Sequence, residues 1–469
     1  MTIMIKNRDS LLSRGNREGR RIVLDLLEAG LAATDSYPNM RRVVRREEGK
    51  LIFDAPEFAQ LPGQQALILD LKDIRRIYVV GGGKAVQRQA EALEDILGDL
   101  ITEGHICIKK GSPVNLKIIG VTLAGHPLPD KDSVAGASRI MKIMEKAGKG
   151  DLVIWLQSGG GTALLALPAP GISLEDLREV YRVLYFGAGA SMPEANAIRN
   201  RVAVLNTNHE KYVHDATLVY FITNEWPPVG RAHLFDNPTP LNAYEKAISV
   251  LKKYQCWDKM PSPVRAFLSR ADPKYLPPTP EDLTQRPYYR YRVMGPEYML
   301  NAAKAKAEEL GLNATILATS LNDVEAKTTG EVLARIAQES ETFGRPLKPP
   351  CVYICGGEVV VPIGQEKGIG GRNQELALSA AQVIAGSHCT VIASVDSDGT
   401  DGPTDVTGGI VDGFTLERIE KSGFNLLEEL RKHNTYPIYK TLGDAVITGN
   451  TGTNVRDLRV LYVGSEGLR

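Results

Sequence analysis

The run Ile77-Tyr78-Val79-Val80 passes without a break into Gly81-Gly82-Gly83-Lys84 and then into a helical pattern from Ala85 to Leu97; no other stretch constrains the fold as much. Four apolar residues in succession describe a strand buried on both faces, the mark of a parallel sheet covered by helices. Such a sheet meets its ligands at the C-terminal ends of its strands, where a turn like Gly81–Lys84 lies. The same unit recurs at Asp151–Leu156, followed by Gln157-Ser158-Gly159-Gly160-Gly161-Thr162. Further strands are expected at His105–Lys109, Ile118–Leu123, Leu218–Thr223, Ala314–Ala318, Val352–Cys355, Thr390–Ser394 and Val460–Val463, with helical patterns between them. Alternation of this kind predicts an α/β protein.

A chain of 469 residues exceeds one ordinary core, so two domains are expected. A helix over Ser10–Thr34 opens the first, and the proline-rich run Pro261–Arg292 reads as the connection, giving domains at residues 1–285 and 286–469. Lys+Arg and Asp+Glu both count 56, which argues against a global nucleic-acid or acidic-membrane role while leaving room for a local patch. Five scattered cysteines suit a reduced, cytoplasmic setting. No apolar run approaches the ~18–20 residues that span a bilayer. The N-terminal stretch lacks the apolar core of a signal peptide.

Several segments carry candidate ligand contacts. Gly82, Gly83 and Lys84 would let backbone and one ammonium approach an anion, although the turn is neither GxGxxG nor a Walker A loop and a plain tight turn reads equally well. Ser158, Gly159, Gly160, Gly161 and Thr162 form a second natural anion nest. GxSxG is absent, and no histidine or acid is spaced to make Ser158 a nucleophile. His126, between Gly125 and Pro127 at a strand end, could meet a ligand or serve the structure. Glu194, Asn196 and Arg199 are either ligand contacts or a capped helix start.

Two loops of opposite charge lie between Val359 and Asp412. Lys367, Gly370, Gly371, Arg372 and Asn373 precede the helical run Leu376–Ile384, and free N–H groups, a helix N-terminus and two cations favour a phosphate or carboxylate. The second loop offers Asp396, Asp398, Asp401 and Asp405, which repel one another unless a cation or strong donors intervene. Asp398, Asp401 and Asp405 are therefore the candidate metal ligands. The plain alternative is a pair of surface turns.

Taken in order, Gly81–Ala85 (GGGKA), Ala124–Asp130 (AGHPLPD), Ser158–Leu165 (SGGGTALL), Gly356–Glu358 (GGE), Lys367–Glu375 (KGIGGRNQE), Asp398–Asp405 (DGTDGPTD) and Thr451–Leu458 (TGTNVRDL) resemble the glycerate 2-kinase family of class II type, whose C-terminal part is called MOFRL. The resemblance implies a Rossmann-like N-terminal domain, a smaller α/β C-terminal domain with a cleft between them, and phosphate transfer from ATP, with Mg²⁺, to the 2-hydroxyl of D-glycerate. It casts Lys84 and Arg372 as cations on the transferred phosphoryl group and Asp398 as a metal ligand or hydroxyl-orienting group. Small hydroxy acid and nucleotide are then the expected partners, with no nucleic acid or membrane, and a homodimer is left open. The chain departs from the family pattern in two places. Asn200, Arg201 and Asn206 stand where the family has Lys, His and Lys, and Asn224 replaces an aspartate whose charge a neutral amide cannot supply. A different acceptor acid met by Arg201, His209, Trp226 and Arg231 accounts for both changes. Nucleotide-independent chemistry (isomerase, lyase or hydrolase) on such an acid, or ligand binding without catalysis, are the alternatives.

Overall fold

The computed structural model describes residues 4–188, 190, 192–205, 208–224 and 242–465. They divide into two compact units, one of residues 36–224 and 242–293, the other of residues 4–35 and 294–465.

The first unit begins with a small antiparallel sheet of β1 (Val44–Glu47), β2 (Lys50–Phe53) and β3 (Leu67–Asp70). Glu48 and Gly49 join β1 to β2 with φ +48° and +76°, the left-handed pair that matches the twist of a tight hairpin. Its main sheet contains β4 (Arg76–Gly82), β5 (Ile101–Lys109), β6 (Gly120–Ala124), β7 (Asp151–Gln157), β8 (Thr217–Thr223) and β9 (Tyr288–Met294) in the order β6-β5-β4-β7-β8-β9. β4 pairs in parallel with both β5 and β7, and β5–β6 and β7–β8 are parallel too. The chain thus winds outward from β4 to β6 and restarts on β4's other side with β7. This is the Rossmann strand order, and its direction switches between β4 and β7. Tyr78 and Val80 of β4 and Val153 and Trp155 of β7 pack against Ala137, Ile140 and Met144 of the helix Lys131–Met144.

The proline-rich run is not a linker. It forms the helices Ser262–Arg270 and Pro280–Thr284 and then β9. Val264, Phe267 and Leu268 are buried in a core with Leu177, Tyr181 and Ile198, and Pro263 and Pro280 sit in the first turns of these helices, where a missing N–H costs nothing.

In the second unit, β10 (Asn313–Ala318), β11 (Cys351–Gly357), β12 (Thr390–Asp396), β13 (Gly408–Asp412), β14 (Ala445–Val446) and β15 (Asp457–Val463) are ordered β10-β11-β15-β12-β13-β14. Only β10–β11 is parallel; the other pairs are antiparallel. Alternate strand residues feed two cores. Val352, Ile354, Val391 and Val460 meet the helices Arg17–Ala32 and Pro296–Glu309, while Tyr353, Ile392 and Leu461 meet Ala326–Phe343 and Arg372–Val383.

Residues 4–35 therefore lie outside the unit that the division at 285 gives them. The helix Arg17–Ala32 buries Val23, Leu24, Leu26, Leu27 and Leu31 within the second unit's core. Its wholly buried Arg20 donates from Nε to Asp412 Oδ2 at 2.6 Å and from Nη1 to Asp444 Oδ1 at 2.8 Å. No helix among the described residues is long and apolar enough to cross a membrane.

Candidate functional site

Three loops meet at the switch point of the first unit. Gly83 and Lys84 leave β4, Ser158 to Thr162 leave β7, and His126 follows β6. The first two are laced together: Lys84 N donates to Gly159 O at 2.8 Å, and Ala85 N donates to the Ser158 hydroxyl at 2.8 Å. A Cβ at Gly83 (φ +150°) would lie 2.1 Å from Ser158 Oγ, so only glycine lets these turns touch. Ser158 is itself buried, and its hydroxyl serves this junction. Gly82 lies tight against Leu165.

Gly160 (φ +87°) is the hinge of the arrangement. A Cβ there would sit 3.0 Å from Lys84 Cγ and 3.1 Å from His126 Nε2, so the Lys84 stem and the His126 ring flank it. Gly161 and Thr162 open the short helix Gly161–Leu164, whose first N–H groups have no partner within the helix. The Thr162 carbonyl accepts from Tyr181 OH at 2.9 Å. Lys84, His126 and the Ser158–Thr162 nest, separate in sequence, thus share one place.

The other first-unit candidates are tied to neighbours. Glu194 meets Lys253 Nζ at 2.5 Å and accepts from Tyr254 OH at 2.7 Å. Asn196 accepts from Arg199, whose guanidinium lies 4.7 Å over the Tyr181 ring. These three act first as fasteners of the helix Met192–Val202. Arg201 is buried and donates to Tyr275 O at 2.9 Å; burial pulls its pKa down to about 10. His209 stacks on Trp155 with ring centres 3.8 Å apart. Asn224 follows β8, and its carbonyl accepts from Arg292 at 3.5 Å. Asn206, Trp226 and Arg231 lie outside the described residues.

In the second unit the two charged loops answer each other. Asp401 is buried and accepts from the backbone N–H groups of Asn373 (3.1 Å) and Gln374 (2.9 Å), at the start of the helix Arg372–Val383. The anion expected at this helix N-terminus is therefore the chain's own carboxylate. Burial raises the Asp401 pKa, against the Arg372 charge and the two N–H groups. Gly371 is close-packed on Asp401, and a Cβ at Gly370 would lie 2.2 Å from Thr435 Oγ1, so these glycines let backbone pack closely and do not form an open nest. Lys367 is exposed in the loop before them.

Arg372 donates from Nη2 to Asp457 Oδ1 at 2.9 Å, pairs with Asp396, and lies 3.2 Å from Glu358 Oε1. Burial alone would lower its pKa, but the carboxylates of Asp457, Asp396 and Glu358 more than offset this and raise it. About a fifth of its side chain stays exposed. Asn373 bridges Asp401 and Asp457.

The proposed metal trio does not assemble. Asp398 accepts from Thr400 N at 3.0 Å, Asp401 is committed to the helix, and Asp405 is bound by Tyr436 and lies 3.6 Å from Lys440. Among the described residues no group of three or more His, Cys, Asp or Glu could hold a metal ion. These three carboxylates do not fit a shared cation. Sequence reasoning missed Asp457 and Asp396 as the partners of Arg372. An acid opening a strand between Arg456 and Arg459 was the available signal.

A family described as a domain of unknown function (DUF4147) matches residues 22–269, and the MOFRL family matches residues 351–457. Glycerate 2-kinase of Pyrococcus horikoshii is 34% identical over 450 residues, covering 95% of this chain and 98% of its own length. D-glycerate 2-kinase of Thermotoga maritima is 35% identical over 390 residues, 82% of this chain and 90% of that one. A crystal structure of glycerate kinase from Thermotoga maritima superposes with a TM-score of 0.75 at 29% identity, covering 94% of this chain and 99% of that chain. Sequence, fold and motif order agree: the chain belongs to the glycerate 2-kinase family.

Proposed function

We propose that this protein transfers the terminal phosphoryl group of a nucleoside triphosphate, ATP in the first instance, to a hydroxyl of D-glycerate or a closely related small hydroxy acid. The observation that carries the reading is the meeting of Lys84, His126 and Gly160 at the switch point of a parallel sheet, in a chain of this family. Phosphoryl transfer asks a protein mainly for position and positive charge. Lys84 supplies a cation on a flexible stem, and the N–H groups of Gly160 and Gly161 suit a phosphate or carboxylate oxygen. Within the second unit, Arg372 is a cation held rigid by its carboxylates while keeping an exposed edge. In the transfer the acceptor oxygen bonds to the terminal phosphorus and the bond to the bridging oxygen breaks. Nucleoside diphosphate then leaves, and the hydroxyl proton passes to solvent. Mg²⁺, where it accompanies the nucleotide, neutralises phosphate charge, and Asp401 is assigned no part in holding it. All five cysteines are buried and outside any disulfide, which supports a reducing, cytoplasmic setting.

The test is ADP release from MgATP with and without D-glycerate. Glycerate-dependent release is expected, falling about a hundredfold or more in Lys84→Ala. Release that ignores the acceptor, or no release with any small hydroxy acid, overturns the reading. Undiminished turnover in Lys84→Ala removes that residue from it.

A further inference from the structure

In the second unit the helix Ala326–Phe343 buries Leu333, Ala334 and Ala337 against the sheet. Two apolar residues also stand exposed on its outer side, Val332 at 55% and Phe343 at 62%, with the exposed Arg335 and Gln338 between them. Val332, Ile336, Glu339 and Phe343 follow one another at steps of four, three and four residues, the spacing that keeps one stripe of a helix turned toward a partner helix. With Leu317 of the edge strand β10 and Pro346, residues of this stripe line a shallow groove of about 390 Å³. An exposed apolar stripe beside a sheet edge marks an interaction surface.

Charge identifies the occupant. Arg335 and Glu339 stand one turn apart on the stripe, between the two exposed apolar ends. When a second copy of the helix is laid antiparallel across a twofold axis near Ala337 and Gln338, Val332 faces the partner's Phe343 and Arg335 faces the partner's Glu339, each contact occurring twice. A twofold interface demands that one patch complement itself, and this patch supplies apolar against apolar and cation against anion in a single register. The geometry points to a homodimer formed through the helix Ala326–Phe343. β10 is a poorer seat, because its register shifts between Ile316 and Ala318, and such bulges blunt an edge against strand pairing. Within one chain Glu339 pairs with Arg345, whose guanidinium lies 5.0 Å over the Phe343 ring, so the stripe's end is already ordered for docking.

Sedimentation equilibrium of the full chain tests this. Wild type is expected to be a dimer at micromolar concentration. Arg335→Glu alone and Glu339→Arg alone each place like charges across the axis and should raise the dissociation constant about tenfold or more. Mixing these two variants restores opposite charges at every contact, so the mixture should dimerise as wild type does. Val332→Asp, at an exposed position, should give a folded monomer by circular dichroism. A monomeric wild type, a dimer untouched by Val332→Asp, or a mixture no tighter than the single variants overturns the assignment.

Discussion

Asp401 illustrates how a side chain's partners decide its role. Its carboxylate takes the first N–H groups of the helix Arg372–Val383 and a side-chain N–H of Gln374 at 3.1 Å. Asp401→Ala leaves those buried donors unpaired and should cost about 1–3 kcal/mol, read as a shift in urea midpoint at unchanged slope. Asp401→Asn keeps an acceptor and should cost less. Equal loss in both variants would show that the negative charge matters more than the cap. The types of residue here were plain in the sequence, but their pairing was not. Four aspartates in a loop look the same whether they face a cation or a helix N-terminus, and Asp457 lies 85 positions from Arg372.

The buried strands of both sheets were legible as elements because packing on two faces demands continuous apolar runs. β1 and β9 were not: β1 carries arginines on an exposed face, and in β9 the part-buried Arg290 and the buried Arg292 interrupt the apolar run. β13 opens with Gly408 and Gly409, and the second has no side chain because the Tyr439 ring occupies that space. On β5, His105 is 2% exposed, and its Nε2 lies 2.8 Å from Thr122 Oγ1. Burial, and secondarily the charge of Arg139, pull its pKa from 6.5 down to about 4. A depressed histidine favours the neutral form in the folded state, so its contribution is complete above about pH 6.5 and is lost as pH falls toward 4. Urea unfolding across that window should lose about 3 kcal/mol that His105→Gln does not lose. Identical profiles for the two proteins would remove His105 as the cause.

On the scale of the whole molecule, the two-domain α/β plan was readable from the order of elements, but the membership of the first 35 residues was not. Nothing local in Arg17–Ala32 says that its apolar face will be covered by strands more than 300 positions away, or that Arg20 will meet Asp412 and Asp444. A fragment of residues 286–469 should therefore stay unfolded by circular dichroism and regain structure when a peptide of residues 1–35 is added. A cooperatively folded fragment without the peptide would contradict this. The same feature sets the timing of birth on the ribosome. The helix that completes the last core is made first, and at about 5–20 residues per second its strands emerge roughly 20–90 s later. Throughout that interval a nascent amphipathic segment waits with its greasy face uncovered, so this chain offers an early client site for holding chaperones at the exit tunnel.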